Sequence, residues 1–271
     1  MGIGRKEKNT ATTDRTQGET RVFSQELNIA PSRSCYRMYP RQADIARILT
    51  STAKWTPWNP TTGCTKVSDA CLNCYAESTS LFLQRRGIAA YNQGFLPVFH
   101  DARVNDISSY RHPRRIFVDA MSDLFHDQFT DTQIDSVFDV MYEHPQHIYF
   151  ILTKRPERME SMLATRPQHQ NLCIGVTVES ETYAWRAEYL CHLQDKFVTF
   201  VNCEPLLGPI STLPRDGIDI CFAAPEAGPQ RRPSASEWFT TLEHYCNTNN
   251  ILYIGHRFDI RSDAGKRPIV P

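Results

Sequence analysis

The sequence lacks the features that direct a chain into or across a membrane. The N-terminus has no apolar signal-peptide core, and no apolar run among the 271 residues approaches the length of a transmembrane span. Lys6 stands where a myristoylation signal requires Ser or Thr. Net charge is absent as well, since 30 basic residues balance 30 acidic ones. We therefore expect a cytoplasmic protein with no membrane partner, in which any anionic ligand is bound by local basic clusters.

Cysteine, in contrast, is plentiful, with nine residues in the chain. A reducing cytoplasm keeps thiols free, and the odd number agrees with free thiols. Metal ligation, catalysis and core packing remain as explanations. Five cysteines lie in or beside apolar stretches or at core spacing, and we expect them to pack in the core, Cys203 being the least certain. These five are Cys173, Cys191, Cys203, Cys221 and Cys246.

Composition divides the chain into two parts. Residues 1–53 are polar and charged, with a Thr-rich run, and predict a partly disordered N-terminal arm that carries a short helix at 41–49. Residues 54–271 predict the main domain, with a cysteine segment at 58–77.

Apolar runs alternate with amphipathic stretches from residue 115 onward. Strands are predicted at 116–118, 148–152, 172–178, 197–201, 218–222 and 251–254, and helices at 131–142 (with Thr130 as N-cap), 156–163, 181–193 and 236–246. Apolar strands separated by helices indicate a parallel sheet covered on both faces. The predicted fold class is α/β, a partial or full (β/α) barrel, and an open doubly wound sheet is the alternative.

Polar or ionisable residues follow each predicted strand. They are Ser122 and Asp123, Thr153 to Arg155, Glu179, Asn202 and Glu204, Glu226, and His256 with Arg257. A site at the carboxyl edge of a parallel barrel requires this arrangement. The alternative is that strand ends simply meet water.

The three remaining cysteines of the main domain have the spacing C-x6-C-x2-C, at Cys64, Cys71 and Cys74. Turn residues place the first in a loop, and the x2 pair directs two sulfurs toward one point. Three thiolates can hold an iron–sulfur cluster and leave one iron without a protein ligand. Two alternatives remain open. A zinc ion would need a fourth ligand, from Cys35, His100 or His126, and Cys71 with Cys74 would also suit a redox pair.

Several strings strongly resemble a phage-associated family of radical-SAM-like proteins. They are WNPTTGC at 58–64, CLNCYAE at 71–77, RRIFV at 114–118, MSDLFH at 121–126, LTKRPERM at 152–159, GVTVE at 175–179 and EPLLGP at 204–209. The resemblance covers about residues 54–255. It implies a partial barrel, a 4Fe–4S cluster and S-adenosyl-L-methionine, whose cleavage yields a 5′-deoxyadenosyl radical that abstracts hydrogen from substrate. The six-residue first gap and Asn73 before the last cysteine depart from the common radical SAM spacing C-x3-C-x2-C. Residues 222–228 and 255–258 depart from the family pattern at strand ends, which indicates a specialised substrate.

The resemblance also implies roles for the strand-end residues. Ser122 and Asp123 would accept the ammonium group of S-adenosylmethionine, Thr153 and Lys154 would meet its carboxylate, and Glu179 or Glu204 its ribose hydroxyls. His126 and Cys203 are the candidates for a catalytic group. Each of these residues would otherwise form a salt bridge at the barrel rim or pack as a structural residue.

Basic clusters at 111–115, 154–155, 231–232 and in the tail (Arg257, Arg261, Lys266 and Arg267) point to a polyanionic substrate. We therefore expect a radical SAM enzyme, an isomerase or modifying enzyme for a hypermodified base in phage DNA, such as an amino-acid-substituted thymine. It would work in the host cytoplasm with a reductant for its cluster. The alternatives are a free nucleotide as substrate, or a non-catalytic nucleic-acid-binding protein stabilised by zinc or a cluster.

Overall fold

The structure is a computed structural model that describes Ile45, Arg47, Ile48, Ser51 and residues 53–255. The three residues Ile45, Arg47 and Ile48 are helical, as predicted for 41–49. Apart from these three residues, Ser51 and Ala53, the predicted N-terminal arm lies outside the described residues, as do the basic residues of the tail.

One parallel sheet dominates the described part of the chain. Its seven strands follow the order β1-β4-β5-β6-β7-β8-β9, and β2 pairs antiparallel with β3 in a separate ribbon. The strands are β1 (Lys54–Trp58), β2 (Thr61–Thr62), β3 (Val98–Phe99), β4 (Arg114–Val118), β5 (Ile148–Thr153), β6 (Leu172–Thr177), β7 (Val198–Cys203), β8 (Ile220–Ala223) and β9 (Leu252–Gly255).

Helices connect the strands. The α-helices are α1 (Tyr75–Arg85), α2 (Asp101–Val104), α3 (Asp131–Glu143), α4 (Pro156–Leu163) and α5 (Ser236–Thr248), and 3₁₀ helices span Asp69–Cys71, Ala89–Tyr91, Asp106–Ser109 and Glu181–His192. The predicted N-cap Thr130 is confirmed. It forms a capping box with Gln133, in which each side chain bonds the other residue's backbone N–H.

Successive side chains along each strand point to opposite faces of the sheet. Outward residues such as Val118, Ile151 and Ile174 join the larger core together with α3, α4, α5 and the 3₁₀ helix at Glu181–His192. The opposite face forms a smaller cluster of strand residues, against which Ile48 packs. These helices therefore cover the same face, which confirms the half-barrel and excludes the doubly wound alternative for the described residues.

Two predicted details differ from the structure. β1 did not appear among the predicted strands, because Lys54, Thr56 and Pro57 interrupt any apolar run. The strand lies at the edge of the sheet, where proline is tolerated. The predicted helix at 181–193 is wound as a 3₁₀ helix and not as an α-helix. Among the helices that the structure describes, none combines the length and apolar character needed to cross a bilayer.

Candidate active site

A cavity of about 620 Å³ opens at the carboxyl edge of the sheet, on the face opposite α3, α4 and α5. Parallel register brings the strand ends together there, with Thr153 beside Val176 and Thr177 beside Asn202. Its lining includes residues from the cysteine segment and from the ends of five strands: Cys64, Cys71, Asn73, Cys74, Phe117, Asp119, Ser122, Asp123, Leu152, Thr153, Lys154, Arg155, Thr177, Asn202, Glu204 and Glu226. The cavity therefore lies at the carboxyl edge of the sheet, where the sequence predicts a site.

The cysteine segment is held by the chain that follows β4. Gly63 has φ of 81°, and a Cβ added to it would lie 2.0 Å from the carbonyl oxygen of Leu96. Glycine is therefore required immediately before Cys64. The Gly63 amide donates to Met121 O (3.0 Å), and the Ser122 hydroxyl donates to Gly63 O (2.6 Å). Ser122, predicted as a cofactor ligand, thus fixes the backbone immediately before Cys64.

The three cysteines of the C-x6-C-x2-C pattern line the same cavity as free, partly exposed thiols. Burial raises the pKa of the Cys64 thiol to about 11, so the metal-free protein holds it protonated at neutral pH. Among the described residues, no three His, Cys, Asp or Glu side chains form a group that would hold one metal ion.

Asp123 is saturated with hydrogen bonds. Its Oδ1 accepts from the Phe125 amide (3.1 Å) and the Thr153 hydroxyl (2.7 Å). Its Oδ2 accepts from the Lys154 amide (3.2 Å) and from Arg155 Nη1 (2.9 Å). We call Asp123 and Arg155 the inner pair; their side chains are 7% and 9% exposed. A carboxylate with four donors already in place is a structural hub and has little capacity left for a ligand.

Asp119 lies four residues before Asp123, and its carboxylate can accept further hydrogen bonds. Its Oδ1 accepts from the Thr61 amide (2.9 Å), whereas Oδ2 is buried with no hydrogen-bond partner among the described residues. Asp119 lines the cavity and has φ of 54°, a left-handed conformation that an acid with a short side chain tolerates. Burial raises the pKa of this carboxyl to about 8. Asp119 was not predicted as a site residue, although it directly follows an apolar strand.

A second acid–arginine pair lies at the rim of the cavity, and we call Glu226 and Arg232 the rim pair. Glu226 Oε2 accepts from the backbone amide (2.7 Å) and Nε (2.9 Å) of Arg232, and Oε1 accepts from Nη2. Asn73 Nδ2 donates to Glu226 Oε2 (3.1 Å), and Arg232 Nη1 donates to Asp69 O (3.0 Å). The loop after β8 is thereby tied to the segment that contains Cys71 and Cys74.

Glu204 and Asn202 extend the polar wall beyond β7. Burial raises the pKa of Glu204 to about 7, so both its protonation states are populated near neutral pH. Thr177, at the end of β6, has a buried hydroxyl with no hydrogen-bond partner in the part of the chain that the structure describes. These three groups share the cavity lining with the apolar side chains of Phe117 and Leu152.

Three predicted residues lie outside the cavity lining. Glu179 is fully buried and pairs with Arg186 Nη1 (2.9 Å). Cys203 is fully buried and belongs to the core on the helix-covered face. His126 is 3% exposed and lies behind the cysteine segment, with its Nε2 2.9 Å from the Thr65 hydroxyl.

Some of the predicted basic residues lie away from the cavity. Arg114 and Arg115 begin β4, so they lie at the amino edge of the sheet, where they stack on Tyr110 and Trp55. The prediction that the basic cluster at 111–115 serves a polyanionic substrate at the site is therefore wrong for Arg114 and Arg115. Lys154 lines the cavity, and Arg155 lines it with its charge matched by Asp123.

A half-barrel with a thiol- and carboxylate-lined cavity at its carboxyl edge has the architecture of barrel proteins whose sites lie at that edge. The sequence profile of the family described as "Protein of unknown function (DUF5131)" matches residues 50–259, and the chain belongs to that family. Comparisons with curated proteins and with solved structures gave no match.

Proposed function

We propose that this protein is a radical SAM enzyme that holds a 4Fe–4S cluster with Cys64, Cys71 and Cys74 and binds S-adenosyl-L-methionine in the cavity. The observation that carries the proposal is that all three thiols of the C-x6-C-x2-C pattern line one cavity at the carboxyl edge of a half-barrel. When bound, such a cluster supplies the electron that cleaves a carbon–sulfur bond of S-adenosylmethionine and starts radical chemistry on a substrate.

The donor set fits a cluster. Each thiolate of an iron–sulfur cluster binds a different iron, so three cysteines need not converge on one ion, and none of these three is committed to a disulfide. Three ligands also leave one iron free for a ligand other than protein. A structural zinc ion, the alternative, would require four converging ligands.

The chain's own groups would then orient the second cofactor. The Oδ2 of Asp119, which has no partner among the described residues, would accept from an ammonium group, and the positive charge of that group would favour the ionised carboxylate that burial disfavours; Asp123 is already saturated. Lys154 offers a positive charge for a carboxylate, and Glu204 and Asn202 offer hydrogen-bond partners for hydroxyl groups. Phe117 and Leu152 would offer apolar contact to the cofactor.

As substrate we propose a base in DNA that carries an amino-acid-like substituent, with isomerisation or modification of that substituent as the reaction. Glu204 supports a base, because a carboxyl with a pKa of about 7 can donate to or accept from a heterocycle edge. A base inside a duplex would have to leave the stack to reach the cavity. An external reductant would supply the electron. A free nucleotide is the alternative substrate.

The test is anaerobic reconstitution followed by iron, sulfide and zinc analysis. We expect about four irons and four sulfides per chain, lost in Cys64→Ala, Cys71→Ala and Cys74→Ala. The matched controls Cys191→Ala and Cys246→Ala should retain the cluster. Full loading of Cys64→Ala, or stoichiometric zinc without iron, would contradict the proposal.

The same preparations test the chemistry. Reduced, loaded protein should release 5′-deoxyadenosine from S-adenosylmethionine, and Asp119→Asn should bind S-adenosylmethionine more weakly while retaining its cluster. Formation of S-adenosylhomocysteine alone would point to methyl transfer. DNA affinity should fall as salt rises, with a log–log slope near −0.9 for each duplex phosphate neutralised; no binding at low salt would leave the free nucleotide as substrate.

A further inference from the structure

Arg155 makes contacts in two directions that its place after β5 does not by itself explain. Its Nη1 lies 2.9 Å from Asp123 Oδ2 and 3.5 Å from Cys64 Sγ. Its Nη2 donates to the hydroxyl (2.8 Å) and the carbonyl oxygen (3.3 Å) of Thr65. One guanidinium fork therefore spans a buried carboxylate, a cysteine sulfur and the residue after that cysteine.

Hydrogen bonds through Thr153 also tie the Arg155 backbone to Asp123. The Arg155 backbone amide donates to Thr153 Oγ1 (2.9 Å), and Thr153 donates in turn to Asp123. The arginine side chain is 9% exposed, so water competes little for its donors. A buried, paired arginine with every contact directed inward is poorly placed to bind a substrate phosphate, the role predicted for it from sequence.

His126 supports the same point from the other side. Its Nδ1 accepts from the Gln128 amide (3.1 Å), so the ring proton lies on Nε2 and is donated to the Thr65 hydroxyl, 2.9 Å away. The Thr65 hydroxyl thus receives donors from both Arg155 and His126. This predicted catalytic candidate is a neutral structural donor that helps to hold the chain beside Cys64.

We propose that Arg155 is a positioning residue that holds Cys64 and Thr65 in place and, by donating to the Cys64 sulfur, stabilises the reduced form of the cluster. This inference rests on the proposed function. Reduction adds negative charge to a cluster and its thiolates, and a cationic hydrogen-bond donor at a ligating sulfur favours that charge. Outer contacts of this kind orient the ligands and set the potential of metal centres.

The deciding variant is Arg155→Lys, since an ammonium group keeps a charge for Asp123 but cannot reach Asp123, Cys64 and Thr65 with one planar fork. The matched control is Arg166→Lys. Arg166 follows α4, pairs with Asp135 and stacks on Phe138, and it does not line the cavity. Both variants are reconstituted with iron and sulfide, and the midpoint potential of the cluster is measured by redox titration.

We expect the potential of Arg155→Lys to shift to more negative values, and that of Arg166→Lys to equal the wild type. In the metal-free proteins, hydrogen exchange at the Gly63 and Cys64 amides should be about tenfold faster in Arg155→Lys than in the wild type or the control. A loaded Arg155→Lys variant with an unchanged potential would overturn the inference and leave the proposed function standing. A wild-type protein that takes up no iron–sulfur cluster would overturn both.

Discussion

The inner pair and the rim pair hold opposite ends of one cysteine segment, and their arginines differ in burial. Arg155 of the inner pair is 9% exposed and reaches Cys64 and Thr65. Arg232 of the rim pair is 30% exposed, and the rim pair holds Asp69 and Asn73. The acid is buried in both pairs, since the Asp123 and Glu226 side chains are 7% and 4% exposed, and the pairs differ in their arginines: water can replace Arg232 at the rim more readily than it can replace Arg155. The Cys64 end should therefore be rigid, and the Cys71–Cys74 end adjustable.

The largest expected effect comes from removing the arginine of the inner pair. Arg155→Met leaves Asp123 buried without its countercharge and should lower the unfolding free energy by on the order of 3–5 kcal/mol. Arg232→Met removes charge-assisted hydrogen bonds at the rim and should cost roughly 1.5–3 kcal/mol. Urea unfolding of the metal-free proteins measures both values, and Arg166→Met is the control in which the acid left behind, Asp135, is half exposed. Equal losses at the two pairs would end the distinction drawn between them.

The second prediction concerns acid. Hydrogen bonds from Arg232 are the largest cause that lowers the pKa of Glu226 from 4.5 to about 2. A lowered pKa means that the rim pair contributes its full stability above about pH 4.5 and loses it as the pH falls toward 2. Glu226→Gln should therefore be less stable than the wild type at pH 6, by a margin that narrows at pH 3. Urea unfolding at the two pH values measures this margin, and a margin that widens in acid would refute the assignment.

The smallest expected effect sharpens the comparison within the segment itself. Asn73→Ala removes the side chain that joins the segment to Glu226 and to the carbonyl of Gln230. Hydrogen exchange at the Cys71 and Leu72 amides, which donate to Ser68 and Asp69, should accelerate by up to about tenfold. Exchange at Gly63 and Cys64 should not change. Equal acceleration at both ends would mean that the segment moves as one body.

Much of the fold could be predicted because its signals are local. The capping box at Thr130, the proline that begins α4 and the apolar runs of the inner strands each depend on neighbouring residues. β1 could not be found in this way. It is a polar edge strand, and its position becomes clear only from its pairing with β4.

The site residues, likewise, could be predicted where their signals are local. Sequence spacing identified the three cysteines, and the strand-end pattern identified Ser122, Asp123, Thr153, Lys154 and Glu204, all of which line the cavity. The strand-end pattern did not reveal that hydrogen bonds would saturate the Asp123 carboxylate, because its partner Arg155 is 32 residues away. The placement of Arg114 and Arg115 could have been predicted, since they precede the apolar core of β4 and must lie at its amino end.

The rim pair has a consequence for the order in which the protein is made. Asn73 and Glu226 are separated by 153 positions, and Asp69 and Arg232 by 163. Synthesis proceeds from the N-terminus, so the three thiols leave the ribosome long before the strand end that closes over two of them. We expect the nascent chain to present Cys71 and Cys74 in an open segment throughout that interval. Completion of the cavity is thus a late event in the life of the chain.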